Sequence, residues 1–261
     1  MPKVCAEFSD LLTPRGLRIL AGNDPACGAL RDPGLPLVSL TGVVDKARAE
    51  ALRVLLERHL RPHLVLMDQP IPRWTIDEMP ENYSELLPKT GRVWTAYLGN
   101  ARARSFCVAT ELGLVALLRS ESLVAFAAAL AGRPLLRRGG MQVLCYGQGD
   151  YAGPHNDHHP EDAEARAGYV DLHLALPGPG VAHQWLVYER AGHLSEMVSA
   201  NSLGGVNAYR LPFWHYTTPL LAKRGKEADA RRWLLLGTFL DSKHKATTRT
   251  AVWPRSHGSD N

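Results

Sequence analysis

The pattern of apolar and polar positions divides this chain near residue 135. Before that point the periodicity is helical or absent. In Val43 to Leu60 (VVDKARAEALRVLLERHL), Val44, Ala47, Ala51, Leu52, Leu55 and Leu56 recur at three- and four-residue spacing with charges between them, which predicts an amphipathic helix. Arg61-Pro62 should end it, because proline disfavours the helical state of the residue before it. Thr110 to Gly132 reads as one helix or two short ones, closing at Gly132 ahead of Pro134. Arg92 to Leu98 (RVWTAYL) has the β-branched and aromatic content of a strand. Residues 1 to 42, rich in Pro and Gly, read as irregular. Met67 to Pro88 reads as a long surface loop, in which Arg73, Trp74 and Tyr83 are candidates to close over a substrate.

After Leu135 the texture changes to short apolar runs punctuated by glycine and proline. Met141 to Tyr146, Tyr169 to Leu176, Gln184 to Tyr188, Val206 to Leu211 and Trp233 to Leu240 each predict a strand. Five such runs without long helices between them point to an antiparallel sandwich or barrel. Ser242 to Asn261 is polar, basic and expected to be loose. The expected fold class is α+β in a single domain over 1–261. Residues 1–134 would form a mainly helical and loop support, 135–241 the β core, and 242–261 a tail.

Composition narrows the function classes only modestly. With 45% hydrophobic and 21% charged residues, the 261-residue chain is an ordinary globular sequence. A net charge of +4, spread along the chain, does not call for a nucleic-acid partner. Cys5, Cys27, Cys107 and Cys145 are far apart and form no CxxC pair, which fits a reducing compartment better than a disulfide framework. The start, MPKVCAEFSD, has no apolar signal core, and the apolar stretch Leu112 to Ala131 is interrupted by Arg119 and Glu121. A cytoplasmic location without membrane contact is therefore expected.

The chemistry concentrates in MQVLCYGQGDYAGPHND, Met141 to Asp157. His155 and Asp157 stand two apart, so in an extended chain both side chains point to one face and can form two corners of a metal site. A third ligand must come from another strand. Of His158, His159, His173, His183, His193, His215 and His244, the best placed is His215, at the end of the apolar segment VNAYRLPFWH. Two histidines and a carboxylate on one face of a metal leave three positions open, which suits Fe(II) that binds a co-substrate and dioxygen together. Farther on, Arg231-Arg232 opens the strand WLLLGTFL, and an arginine aimed into a barrel can grip a carboxylate through two parallel hydrogen bonds. Alternation groups Arg232 with Leu234, Leu236 and Thr238, and Arg231 with Trp233 and Leu235. Arg232 is the choice, and Arg231 the one-residue register alternative.

The order strand, Tyr146, Gly147, His155-x-Asp157, distal His215 and an arginine opening a final strand resembles the 2-oxoglutarate/Fe(II)-dependent oxygenases, in particular their prolyl-4-hydroxylase-like branch. The resemblance spans roughly Leu135 to Asp241. It implies a double-stranded β-helix, a jelly-roll or cupin-like barrel, in the C-terminal half, with supporting helices from the N-terminal half. It implies that His155, Asp157 and His215 bind Fe(II), that Arg232 holds the far carboxylate of 2-oxoglutarate, and that Tyr146 lines the same pocket. Dioxygen would be the second co-substrate and ascorbate a stimulant. The implied reaction is hydroxylation of an unactivated C–H bond in a small metabolite or a protein side chain, with release of succinate and CO2. A nucleic-acid substrate is not expected, because LLLGTFL lacks a second arginine.

Two other features call for a reading. Asp171 and His173 share one face of YVDLHLAL, either lining the pocket, where His173 would meet 2-oxoglutarate or substrate, or facing solvent. GQGDYAG is followed by Pro154 and an extended segment instead of a helix, so it lacks the context of a phosphate loop. The rival functions are a non-redox metal hydrolase or isomerase on a cupin-like barrel, which needs no arginine clamp, and a catalytically inactive binding barrel.

Overall fold

The computed structural model describes residues 3–70, 90–136, 140–155 and 169–241. Two antiparallel sheets face each other, and helices cover the outer side of the larger one. In chain order the helices are α1 (Pro14–Leu20), α2 (Lys46–Leu55), α3 (Arg104–Glu111), α4 (Leu114–Leu118) and α5 (Glu121–Ala131). The strands are β1 (Leu37–Leu40), β2 (Val65–Pro70), β3 (Thr90–Tyr97), β4 (Leu135–Leu136), β5 (Met141–Tyr146), β6 (Ala152–His155) and β7 (Tyr169–Pro177). They continue with β8 (Val181–His183), β9 (Trp185–Arg190), β10 (His193–Ser199), β11 (Gly205–Arg210), β12 (His215–Thr217), β13 (Leu221–Ala222) and β14 (Arg232–Asp241).

The large sheet runs β1-β11-β7-β14-β5-β3-β2, with β4 also on β14; the smaller runs β10-β9-β12-β6; and β13 pairs with β8. From β5 onward the chain crosses repeatedly between the two sheets, and the pairings among the described strands are antiparallel. Alternation along β14 explains the layering. Trp233, Leu235 and Phe239 are buried with Val143, Cys145, Leu172, Leu174 and Leu176 against the helices, where Leu123, Phe126 and Leu130 meet them. Burying each such side chain contributes about 1.5–3 kcal/mol. The opposite face, carrying Arg232 and Leu234, looks into the space between the sheets.

The five expected strands are all present, β5 with the expected ends and the others within two residues of them, and the expected Arg92 to Leu98 strand is β3. The Val43–Leu60 prediction is corrected at its start: Asp45 accepts a hydrogen bond from the Arg48 amide at 2.9 Å, capping α2. Beyond Leu55 the chain continues as a wider π turn, Leu56–Leu60. Thr110–Gly132 resolves into the end of α3 and two short helices. Ser120 caps α5 by accepting from the Leu123 amide, and Gly132 ends it in the left-handed conformation at φ 65°. Leu114–Ala131, the one stretch among the described residues long and apolar enough to cross a membrane, is more than half buried in this core.

Within the stretch predicted as irregular, residues 3–42 are more ordered than their composition predicts. Thr13 caps α1 ahead of Pro14, and β1 adds an edge to the large sheet through β11. Such short elements carry too few periods to be read from pattern, and packing stabilises them. Gly16 shows how tightly: a Cβ there would lie 2.2 Å from the Val43 carbonyl oxygen. β2 occupies the first four residues of the predicted Met67–Pro88 loop; Arg73, Trp74, Tyr83 and the tail from residue 242 lie outside the described residues. All four cysteines are free thiols.

Candidate functional site

The turn Gly147–Asp150 carries the chain from the large sheet to the small one. Asp150, nearly fully buried, accepts from the Gly147 amide at 2.8 Å and from Arg92 Nε at 3.2 Å. Its backbone carbonyl accepts from the Leu220 amide at 3.0 Å and from Gln184 Nε2 at 3.3 Å. The glycines of GQGDY therefore make a strand-to-strand turn, with Gly149 at φ 79°, and no helix follows to bind phosphate. Burial raises the Asp150 carboxyl above its ordinary pKa, although its two donors oppose the shift. A carboxyl raised on folding favours the fold while protonated, and that contribution is lost as pH rises through the folded value. Melting temperatures of wild type and Asp150→Asn should therefore diverge from about pH 4 upward, wild type losing stability relative to the variant. Asp150→Ala, which leaves both donors without an acceptor, should cost about 1–3 kcal/mol by denaturant titration.

The turn delivers β6, which ends at His155. On β12, His215 pairs directly with His155 across the ladder and with Tyr188 of β9 on its other side. The two imidazole rings are 4.4 Å apart between centroids. His155 Nδ1 lies 2.7 Å from the Gly153 carbonyl oxygen, and His215 Nδ1 2.7 Å from that of Phe213. A carbonyl can only accept, so each Nδ1 carries a proton, and in the neutral imidazole this leaves the lone pair on Nε2, the tautomer a metal requires. His215 is 4% exposed and His155 half-buried. The third predicted ligand, Asp157, lies outside the described residues, as do His158 and His159. Among the described residues, no three His, Cys, Asp or Glu side chains are brought together as a metal site. The donor chemistry of the histidine pair fits a divalent transition metal.

Arg232 lies opposite Tyr146 of β5 and Pro177 of β7 in the large sheet. It is 3% exposed, with its guanidinium 4.8 Å from the centroid of the buried Tyr146 ring. Nη1 donates to the Ala200 carbonyl at 3.3 Å, and Nε has no hydrogen-bond partner among the described residues. No carboxylate pairs with it there, and burial pushes its pKa below the ordinary guanidinium value. Arg231 has the opposite fate. It leaves on the helix side and meets Glu57 at 3.2 Å, while Glu57 also accepts from Trp233 Nε1 at 3.0 Å. Arg231 and Trp233 are thus tied to one helix-side carboxylate, and this holds the register that sends Arg232 inward.

The loop after β7 braces the same end of the sheet. Gly178 donates to the Arg231 carbonyl at 2.7 Å, and a Cβ at Gly180 would come within 2.6 Å of the Lys226 carbonyl oxygen. Gly180→Ala should displace the segment leading into Arg232 and cost about 1–3 kcal/mol in chemical denaturation.

Asp171 and His173 are both buried, at 2% and 8% exposure, so the solvent-facing alternative is corrected. Alternation on β7 turns them inward because Leu172, Leu174 and Leu176 must cover the helices. His173 pairs with Leu236, four residues along β14 from Arg232, which is about 13 Å of strand. Its Nε2 is instead hydrogen-bonded to Tyr209 Oη at 3.0 Å. Tyr209 itself was not singled out from the sequence, although its alternation with Asn207 in VNAYRL places it on the inward face. His183 and His193 are exposed at strand ends.

No family model and no curated protein matches this chain. Solved structures do. The non-heme alpha-ketoglutarate-dependent epimerase SnoN from nogalamycin biosynthesis is 17% identical and superposes with a TM-score of 0.52, covering 87% of this chain and 82% of its own. SnoN in complex with Fe3+, alpha-ketoglutarate and nogalamycin RO gives 16% identity and a TM-score of 0.51, with 87% and 83% covered. A 2OG-Fe(II) oxygenase family oxidoreductase from Burkholderia pseudomallei is 14% identical with a TM-score of 0.51, covering 86% of this chain and 90% of its own. The chain thus shares its fold with solved 2-oxoglutarate/Fe(II)-dependent oxygenases, the superfamily that its His155-x-Asp157, His215 and Arg232 pattern resembles.

Proposed function

We propose that this protein is a 2-oxoglutarate- and Fe(II)-dependent oxygenase that hydroxylates an unactivated C–H bond of a small metabolite or a protein side chain. The two facing sheets, β11-β7-β14-β5 and β10-β9-β12-β6, are read as the halves of a double-stranded β-helix. The observation that carries the proposal is Arg232, a buried cation with no carboxylate partner among the described residues. A buried charge without a partner is costly, and a site that keeps one is built for an anionic ligand. A metal hydrolase on the same barrel has no use for it.

In this reading His155 and His215, with Asp157, hold Fe(II) through imidazole Nε2 atoms set by the Gly153 and Phe213 carbonyls. Arg232 grips the far carboxylate of 2-oxoglutarate, with the Tyr146 ring closing the pocket beside it. Fe(II) held there would supply the redox chemistry by which dioxygen oxidises both 2-oxoglutarate, to succinate and CO2, and the substrate C–H bond, to the alcohol. The protein's work is to orient both partners and keep the chamber between the sheets dry. Beyond Arg232 the inward face of β14 continues as Leu234, Leu236 and Thr238, with no second cation for a phosphate backbone.

The test is anaerobic. Fe(II) and then 2-oxoglutarate are added to the purified protein and the visible spectrum is recorded. A charge-transfer band that requires both additions, and is absent in His155→Ala and Arg232→Ala, is the expected result. Absence of the band, with Zn(II) retained instead, would sink the oxygenase reading.

A further inference from the structure

We propose that Tyr209, anchored by His173, is a positioning residue that fixes the ring of His215. The inference rests on the assignment of His215 as a metal ligand under the oxygenase reading. Among the described residues the two candidate ligands have different surroundings. His155 sits half-buried at the end of a four-residue strand, with its Nδ1 held by the Gly153 carbonyl. His215 has the corresponding bond to Phe213 and, in addition, an aromatic pair packed against one side of its ring. The Phe213 ring lies 5.2 Å away at 29° to it, and the Tyr209 ring 5.3 Å away at 51°. Tyr209 stacks in turn on Phe213 at 4.4 Å and 22°, and Tyr188 stacks on Phe213 at 5.4 Å. The two rings lie on the same side of the imidazole, and together with the Phe213 carbonyl they restrict the orientation of its Nε2.

Packing alone does not account for the hydroxyl. Tyr209 is completely buried, and a phenylalanine would supply the same stack. Its Oη instead bonds to His173 Nε2 at 3.0 Å, with the rings edge to face at 78°. Tyr209 is paired in register with Asp171, so the bond runs diagonally to the next inward residue of β7. The bond fixes the Tyr209 ring within the large sheet, in whose ladder Arg232 also stands, and the contacts of that ring with Phe213 and His215 reach across to the β12 side. Ligand ring and co-substrate clamp are thereby referenced to one rigid element. Groups of this kind outside the coordination sphere commonly govern metal affinity by about 10–100-fold.

The experiment measures Co(II) binding by anaerobic titration, with its ligand-field spectrum, in wild type, Tyr209→Phe, His173→Leu and His173→Gln. Thermal melts of the metal-free proteins confirm folding. Expected is a loss of Co(II) affinity of about tenfold, with an altered spectrum, in His173→Leu and Tyr209→Phe. His173→Gln, which keeps a hydrogen-bonding group facing Tyr209, should recover most of both. Folded variants that bind Co(II) with wild-type affinity and spectrum would overturn the positioning role alone. Failure of wild type to bind Co(II) would overturn the oxygenase reading and the proposal together.

Discussion

Arg232→Met should melt at a higher temperature than wild type in the absence of ligand, and should no longer respond to 2-oxoglutarate. Both effects have one cause. The Arg232 guanidinium is buried between the sheets against Tyr146, with a single long bond to the Ala200 carbonyl and no carboxylate among the described residues. Its desolvation is therefore offset only in part, and an apolar side chain of similar length removes the cost at the loss of one weak hydrogen bond. Replacing buried charges by well-packed apolar groups is often stabilising by about 1–4 kcal/mol. In a domain of this size each kcal/mol raises the midpoint by about 2–4 °C. Wild type should gain roughly 2.7 kcal/mol when 2-oxoglutarate reaches one hundred times its dissociation constant. The variant should gain nothing. Scanning calorimetry with and without 2-oxoglutarate reads both. A variant that melts lower than wild type would show that the cation is already compensated in the ligand-free protein. A variant that still shifts with 2-oxoglutarate would place the clamp elsewhere.

The second large effect separates the two histidines. His155→Ala and His215→Ala should each abolish Fe(II) binding, but only His215→Ala should also weaken the fold. His215 is buried and packed against the stacked rings of Phe213 and Tyr209, so truncation opens a cavity in an aromatic cluster. Large-to-small changes at such sites cost about 2–5 kcal/mol. His155 is half-buried on a short strand, and its removal should leave the unfolding midpoint close to wild type. Metal titration paired with urea denaturation distinguishes the two. Equal destabilisation by both substitutions would contradict the unequal packing on which the positioning role of Tyr209 rests.

The residues themselves determined a good deal of this picture. Period-two runs located β5, β7, β9, β11 and β14 because each must bury one face, and a strand's alternation is written directly in its side chains. Gly132 ended a helix because a left-handed residue was needed there. The same alternation placed Arg232 at the head of its strand, on the face opposite Trp233. What pattern could not reach were β6, β12 and β13, of four, three and two residues, since runs that short hold hardly one period. Also out of reach was whether Asp171 and His173 face water or the interior, because alternation separates two faces without saying which is covered. Only the packing of the helices on Leu172, Leu174 and Leu176 decided that. The pairing of His155 with His215 and the bond between Tyr209 and His173 were likewise decided by tertiary structure. They join residues that are neighbours only once β12 lies beside β6 and β11 beside β7, and no local preference in the chain encodes those adjacencies.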